Sequence, residues 1–341
     1  MSPRNFDKTK NMNKNLNDFY KARNILGEEY EPMKSVRHTE IPTFMRAPYR
    51  TDLENIDIGI IGIPYDGGLT FRTGARHGPR EVRNESSVMR AINISTDVRP
   101  YELARIADIG DVQFKNMFSL DEAIKDIERF YDAIFEANVL PLGIGGDHSV
   151  SWPILKALGK KHQEPVAVIH FDAHTDTWSE FQGSKFHHGA PFRLAVESGV
   201  IDPKKMIQIG IRGGQNIYEG LEFCDDHGIR MIKIEEFEDI GWLEATKIAR
   251  QIVGDSPVYL TFDIDSLDPA YAPGTGTPES GGITMREAQR MLRELRGLSF
   301  VGGDMVEVSP PFDPSGHTAL NGATIVFEML CLLAERKSQQ A

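Results

Sequence analysis

Three segments of the chain place carboxylates and imidazoles together at the ends of apolar runs, a pattern suited to binding hard cations and to the hydrolytic chemistry they support. In the first, Val166 to Phe171 passes into Asp172-Ala173-His174-Thr175-Asp176. Side chains two and four apart in an extended strand project to one side, so Asp172, His174 and Asp176 are expected to converge. In the second, Val258 to Phe262 ends in Asp263-Ile264-Asp265, with both carboxylates at the same spacing. The third is Gly145-Gly146-Asp147-His148-Ser149, whose glycines permit a sharp turn that presents His148.

Taken singly, each motif has a plainer reading. An Asp-x-Asp at a strand end is usually a cap or turn former, and a lone histidine is usually a satisfied hydrogen-bonding residue. Taken together, four carboxylates and two imidazoles at matched strand ends stack like charges, which is costly unless cations neutralise them. The set is oxygen-rich and lacks thiolate, favouring Mn²⁺ or a similar divalent ion, with Ni²⁺ also compatible. Six ligands are too many for one catalytic ion and fit two ions about 3.5–4 Å apart, bridged by shared carboxylates.

The elements that must position these residues are legible as apolar runs: Ile58 to Ile63, Ala107 to Ile109, Val139 to Ile144, Val166 to Phe171, Ile207 to Ile211, Ile229 to Ile232, Val258 to Phe262 and Phe300 to Val306. Between them, apolar residues recur at helical spacing over Leu120 to Ala137, Trp152 to Lys160, Leu243 to Ile252 and Thr284 to Leu295. Near-continuous apolar strands alternating with helices predict a mostly parallel sheet of about eight strands in a three-layer α/β/α domain. Open parallel sheets place ligand sites at the carboxyl ends of their strands, where the three motifs lie. Residues 1–50 contain Pro3, Pro32, Pro42 and Pro48 and lack periodicity, so they read as an N-terminal arm with one short helix near Leu16 to Leu26. Residues 51–341 then form one catalytic domain.

Composition sets the outer limits. Apolar residues make up 40% and charged residues 26% of the 341, the balance of a globular chain with a sizeable core. A net charge of −12 argues against nucleic acid or an anionic membrane surface as partner and mildly favours a cationic ligand. Cys224 and Cys331 are too few for a disulfide framework or a thiolate zinc site. The polar run Asn5 to Asn17 has no secretory character, and the apolar stretch Ala323 to Ala334 is too short to span a bilayer. The expected location is cytoplasmic.

The motifs quoted above, with Gly62-Ile63-Pro64-Tyr65-Asp66, Gly74-Ala75-Arg76-His77-Gly78-Pro79, His188-Gly189, Phe262 to Gly282 and Asp304 to Pro310, resemble the ureohydrolases, which include arginase and agmatinase. The likeness runs from Ile58 to Leu333. It implies the arginase/deacetylase-like fold and hydrolysis of a guanidino carbon–nitrogen bond to urea, or a urea analogue, plus an amine. It also implies ligand sets: His148, Asp172, Asp176 and Asp263 for one ion, and Asp172, His174, Asp263 and Asp265 for the other. A bridging hydroxide held by Asp176 would attack, His188 would shuttle a proton to the leaving amine, and Glu307 would grip the guanidinium. Thr275-Gly276-Thr277-Pro278 would shape the pocket wall.

Trp178 stands where arginases carry small polar residues for the amino-acid end of the substrate, so the resemblance is to the agmatinase-like branch rather than to arginase itself. That branch includes enzymes for agmatine, guanidinobutyrate, guanidinopropionate, guanidine and alkylated (metformin-like) biguanides. His187, Ala190 and Arg212-Gly213-Gly214-Gln215-Asn216 depart from the common pattern or are variable, and an agmatine ammonium has no obvious partner. Competing readings are a one-ion deacetylase-type hydrolase and a non-catalytic subunit supporting an active paralogue in a hetero-oligomer. The resemblance also implies a homo-oligomer, trimer or hexamer, with the arm packed on a neighbouring subunit.

Overall fold

The computed structural model describes residues 16–162, 164–215 and 217–340. Eight strands form the sheet: β1 (Ile58–Ile63), β2 (Ile106–Asp111), β3 (Leu140–Gly145), β4 (Val166–Phe171), β5 (Ile201–Ile211), β6 (Arg230–Lys233), β7 (Val258–Asp263) and β8 (Phe300–Val306). Their order is β2-β1-β3-β8-β7-β4-β5-β6, and every pairing is parallel. All six residues of β1, β4 and β7 are buried, because helices cover both faces.

The helices of seven residues or more are α1 (Gly78–Glu85), α2 (Leu120–Glu136), α3 (Ser151–Lys161), α4 (Pro191–Glu197), α5 (Glu219–His227), α6 (Ile234–Val253), α7 (Met285–Glu294) and α8 (His317–Gln340). One core layer joins α1, α6, α7 and α8 to the sheet, and a second joins α2 to α5 to its other face. Helix starts follow local chemistry. Ser119 caps α2 by accepting from the Glu122 N–H, and Thr284 and Glu287 form a reciprocal capping box at α7.

The eight expected strands are all present, while β5 starts at Ile201, earlier than its apolar run. Helices α1, α4 and α5 carry no sustained apolar stripe and were not expected. Helix α8 is longer than the apolar run inside it; it is long and apolar enough to cross a membrane, yet 83% of its most apolar window is buried against the domain.

The helix expected near Leu16 to Leu26 is confined, among the described residues, to Leu16 to Phe19. The Asn24 side chain accepts from the backbone N–H of Leu26 and Glu28, and Gly27 takes a φ of 77°, so the chain turns into a short ladder between Ala22–Arg23 and Glu29–Tyr30. The segment before residue 50 also reaches the core: Phe44 and Met45 are fully buried, and the Phe44 N–H donates to Asp108. Most of the polar run Asn5 to Asn17 lies outside the described residues.

Candidate active site

The four central strands, β3, β8, β7 and β4, end at one level, because Val306 pairs with Asp263 and Phe262 with Phe171. The segments leaving them supply His148, Glu307, Asp263 to Asp265, and Asp172 to Asp176 respectively. Close packing starts this arrangement. A Cβ at Gly146 would lie 1.6 Å from the Tyr65 carbonyl oxygen, so only glycine fits where β3 turns towards His148.

The first cluster surrounds His148 Nδ1, which lies 2.9 Å from Asp176 Oδ2, 3.1 Å from Asp172 Oδ2 and 3.2 Å from Asp263 Oδ2. The second places His174 Nδ1 3.2 Å from Asp265 Oδ2 and 3.4 Å from Asp172 Oδ1. Asp172 therefore serves both, one oxygen to each. Asp263 turns Oδ2 to His148 and accepts the Asp265 N–H on Oδ1 at 2.8 Å. All six residues expected as ligands thus come together.

Strand alternation is not what converges Asp172, His174 and Asp176. Strand β4 stops at Phe171, and a turn follows in which Asp172 accepts the His174 N–H at 2.6 Å and Asp176 adopts a φ of 50°. A left-handed conformation at a non-glycine residue costs on the order of 1 kcal/mol or more and is held by its surroundings. Glu307 shares this feature, with a φ of 67°.

The electrostatics of the cluster call for positive charge. Burial, then the neighbouring charges of Asp265 and Asp172, hold the Asp263 carboxyl well above the usual range. Burial works against charge on His148, but its three carboxylate neighbours outweigh that and raise it well above the usual imidazole range. His148 Nε2 is 3.0 Å from the Thr261 hydroxyl, whereas Nδ1, fully enclosed, has no hydrogen-bond partner and faces only carboxylates. Bound divalent cations satisfy that lone pair and those carboxylates together, and the N₂O₄ donor set suits them.

Three contributors escaped the sequence reading. His170 Nε2 lies 2.7 Å from Asp172 Oδ2, and Thr261 supports His148. Each stands two residues before an expected ligand on the same strand, so period-two spacing was the available signal. Asp147 accepts from the N–H groups of Gly68 and Ser149, and burial, then the Glu307 charge, pushes its carboxyl up to about 7.

A cavity of about 220 Å³ opens over the cluster, lined by His174, Asp176, Trp178, His188 and Thr277. His188 Nε2 is 2.7 Å from the Thr70 hydroxyl, and its Nδ1 is 3.5 Å from Glu307 Oε1. Burial pulls the His188 pKa down, but Glu307 more than offsets this and the net direction is up. Glu307 accepts the His148 N–H on Oε1 at 3.0 Å, while the buried Oε2 has no partner. A Cβ at Gly276 would sit 3.0 Å from that oxygen, so the Gly/Pro-rich loop does form a wall beside Glu307. Phe181, His187, Gly214 and Gln215 complete one side of the lining, and His187 Nε2 donates to the Ser179 carbonyl at 2.7 Å.

Comparison with known proteins gives a consistent picture. The model of the arginase family matches residues 56–331. A guanidinopropionase of Pseudomonas aeruginosa is 51% identical over 307 residues, covering 89% of this chain and 95% of that protein. The solved proclavaminate amidinohydrolase of Streptomyces clavuligerus superposes with a TM-score of 0.85 at 40% identity, covering 89% of this chain and 100% of that one. A formiminoglutamase variant of Trypanosoma cruzi, solved with Mn²⁺, superposes with a TM-score of 0.76 at 26% identity, covering 83% and 95%.

Proposed function

The chain belongs to the arginase family, and on that premise we propose that it is a metal-dependent amidinohydrolase that cleaves a guanidino compound to urea and an amine. The observation that carries this reading is the enclosed His148 Nδ1 facing three carboxylates, one of them Asp176 of the cavity lining, with the unpartnered Glu307 carboxylate behind His188 of the same lining. His148, Asp172, Asp176 and Asp263 would hold one divalent ion, and Asp172, His174, Asp263 and Asp265 the other. Such ions act as Lewis acids and bring the pKa of a water towards neutrality.

The protein's own groups do the rest. Glu307 Oε2 receives the guanidinium through charge-assisted hydrogen bonds, fixing the guanidino carbon beside the carboxylates. Asp176 accepts a hydrogen bond from the attacking water and orients it. His188, whose pKa Glu307 raises and whose ring Thr70 steadies, donates a proton to the departing amine nitrogen. Trp178 and Phe181 cover the substrate tail and limit water access.

The tail wall favours a short guanidino acid over agmatine. Phe181, His187, Gly214 and Gln215 of the lining carry no carboxylate, and the Gln215 amide offers donors to one; Glu279 stands outside the lining, 4.0 Å from His174 Nε2. Mn²⁺ is the favoured metal on the hard donor set, with Ni²⁺ as comparator. The test is urea release by chelator-stripped protein reloaded with either metal, over guanidinopropionate, guanidinobutyrate, agmatine, guanidine and an alkyl biguanide. Guanidino acids are expected to be fastest; no urea from any of them with either metal overturns the function, and preference for agmatine overturns the substrate.

We also propose a homo-oligomer, trimer or hexamer, in which the arm meets a neighbouring subunit. Ile25, Leu26 and Ile41 support this, being 101%, 77% and 86% exposed. Mass in solution should fall in an Ile25→Asp/Ile41→Asp variant; an unchanged oligomer rules the arm out as the main contact.

A further inference from the structure

The variable-looking segment after β5 contains an arginine that joins the two carboxylate loops. Arg212 is 7% exposed. Its backbone N–H donates to the Ala173 carbonyl at 2.9 Å, inside the Asp172 to Asp176 turn. Its guanidinium donates to the carbonyls of Asp265 at 2.7 Å, Ser266 at 3.2 Å and Leu267 at 3.2 Å, all in the turn that carries Asp265. Further bonds reach Gly210 at 3.1 Å and the Glu279 carbonyl at 2.7 and 3.2 Å, beyond the pocket-wall loop. Among the described residues no carboxylate lies within ion-pair distance of this guanidinium, so all its donors serve the backbone of other segments.

Two further observations show that the fit is specific. A Cβ at Gly282 would lie 2.5 Å from Arg212 Nη2 and equally close to the Asp268 backbone nitrogen, so only glycine leaves room there for the guanidinium and the turn it binds. Ala173, whose carbonyl receives the Arg212 N–H, donates its own N–H to Asp265 Oδ1 at 3.2 Å, closing a circuit from one loop to the other. The His148 ring itself makes no bond in this circuit; it faces Thr261, Asp172, Asp176 and Asp263, and its backbone N–H donates to Glu307.

The geometry points to Arg212 as a positioning residue for the ion held on the His174 and Asp265 side. It touches neither substrate nor reacting atoms, and acts by fixing where the Asp265 carboxylate and the His174 ring stand relative to each other. A planar fork with five donors can bind several carbonyls at once, which a lysine ammonium cannot copy. Supporting partners of this kind are commonly worth 10–100-fold in metal affinity. The inference rests on the two-ion reading above.

The test is calorimetric titration of Mn²⁺ into chelator-stripped wild type, Arg212→Lys and Arg212→Gln, the lysine keeping the charge without the fork and the glutamine keeping a planar donor group without the charge. Wild type is expected to take up two ions. In both variants the affinity of one ion should fall by roughly tenfold or more while the other stays within about twofold, and urea release should recover at saturating Mn²⁺. Should Arg212→Lys fail to fold, Arg212→Gln decides. Equal weakening of both ions, or no weakening, overturns the role of Arg212 while leaving the two-ion reading intact. Uptake of a single ion by wild type overturns both.

Discussion

Replacing Glu307 by Gln tests the guanidinium grip with little change of shape. In the native protein the carboxylate accepts the His148 N–H on one oxygen and leaves the other, buried and unpartnered, beside Gly276. The amide can keep the first bond only by turning its oxygen to His148, which points its NH₂ group at the guanidinium donors. Both charge-assisted bonds to substrate are then lost, and truncating one side of such a buried pair costs about 3 kcal/mol. That corresponds to roughly a hundredfold loss in kcat/KM, measured as urea release. Removing a buried charge with an unpartnered oxygen should not destabilise the free protein, so Tm should hold or rise, and metal content should be unchanged. His188 gives an independent readout: with its raising neighbour gone, its NMR-titrated pKa should fall. If kcat/KM stays within about threefold of wild type, or the loss comes with lost metal, Glu307 is not the substrate clamp.

The other expectations are more compact. Saturating Mn²⁺, at a hundred times its dissociation constant, should stabilise stripped protein by about 2.7 kcal/mol per ion, or roughly 4 °C in Tm for each ion bound; a shift under about 1 °C contradicts binding to the folded cluster. Gly276→Ala brings a methyl to 3.0 Å from Glu307 Oε2 and 3.3 Å from Leu69, so kcat/KM should fall about tenfold with metal content intact, and unchanged kinetics would show the wall has room to move. Cys224 is buried, donates to the Gln208 side chain at 3.4 Å, and has its thiol pushed up to about 11 by burial; it should resist alkylation at pH 8 until the protein is denatured, and rapid native labelling would contradict the packing.

Much of this site was legible because its scaffold is buried on both faces. Runs such as Val166 to Phe171 and Val258 to Phe262 must be apolar throughout to sit between helical layers, so their ends, and the chemistry placed there, stand out. Helix α8 shows the opposite case: 15 of its residues are buried, so the stripe that marks an amphipathic helix is missing. Helices α4 and α5 are too short for periodicity to register. Within the site, ligand identities followed from residue type, but convergence at Asp176 depends on a left-handed turn that strand spacing does not encode. Arg212 was unreadable for a different reason: its partners are backbone carbonyls up to 67 positions away, which leave no mark on residue type.

The most direct test of the whole account is a paired measurement of bound metal and urea release on wild type and an Asp172→Ala/Asp265→Ala variant, both reloaded with Mn²⁺. The account predicts about two ions per chain for wild type, with urea and amine formed in equal amounts, and loss of both bound metal and urea release in the variant. Urea release that survives the double substitution would contradict it.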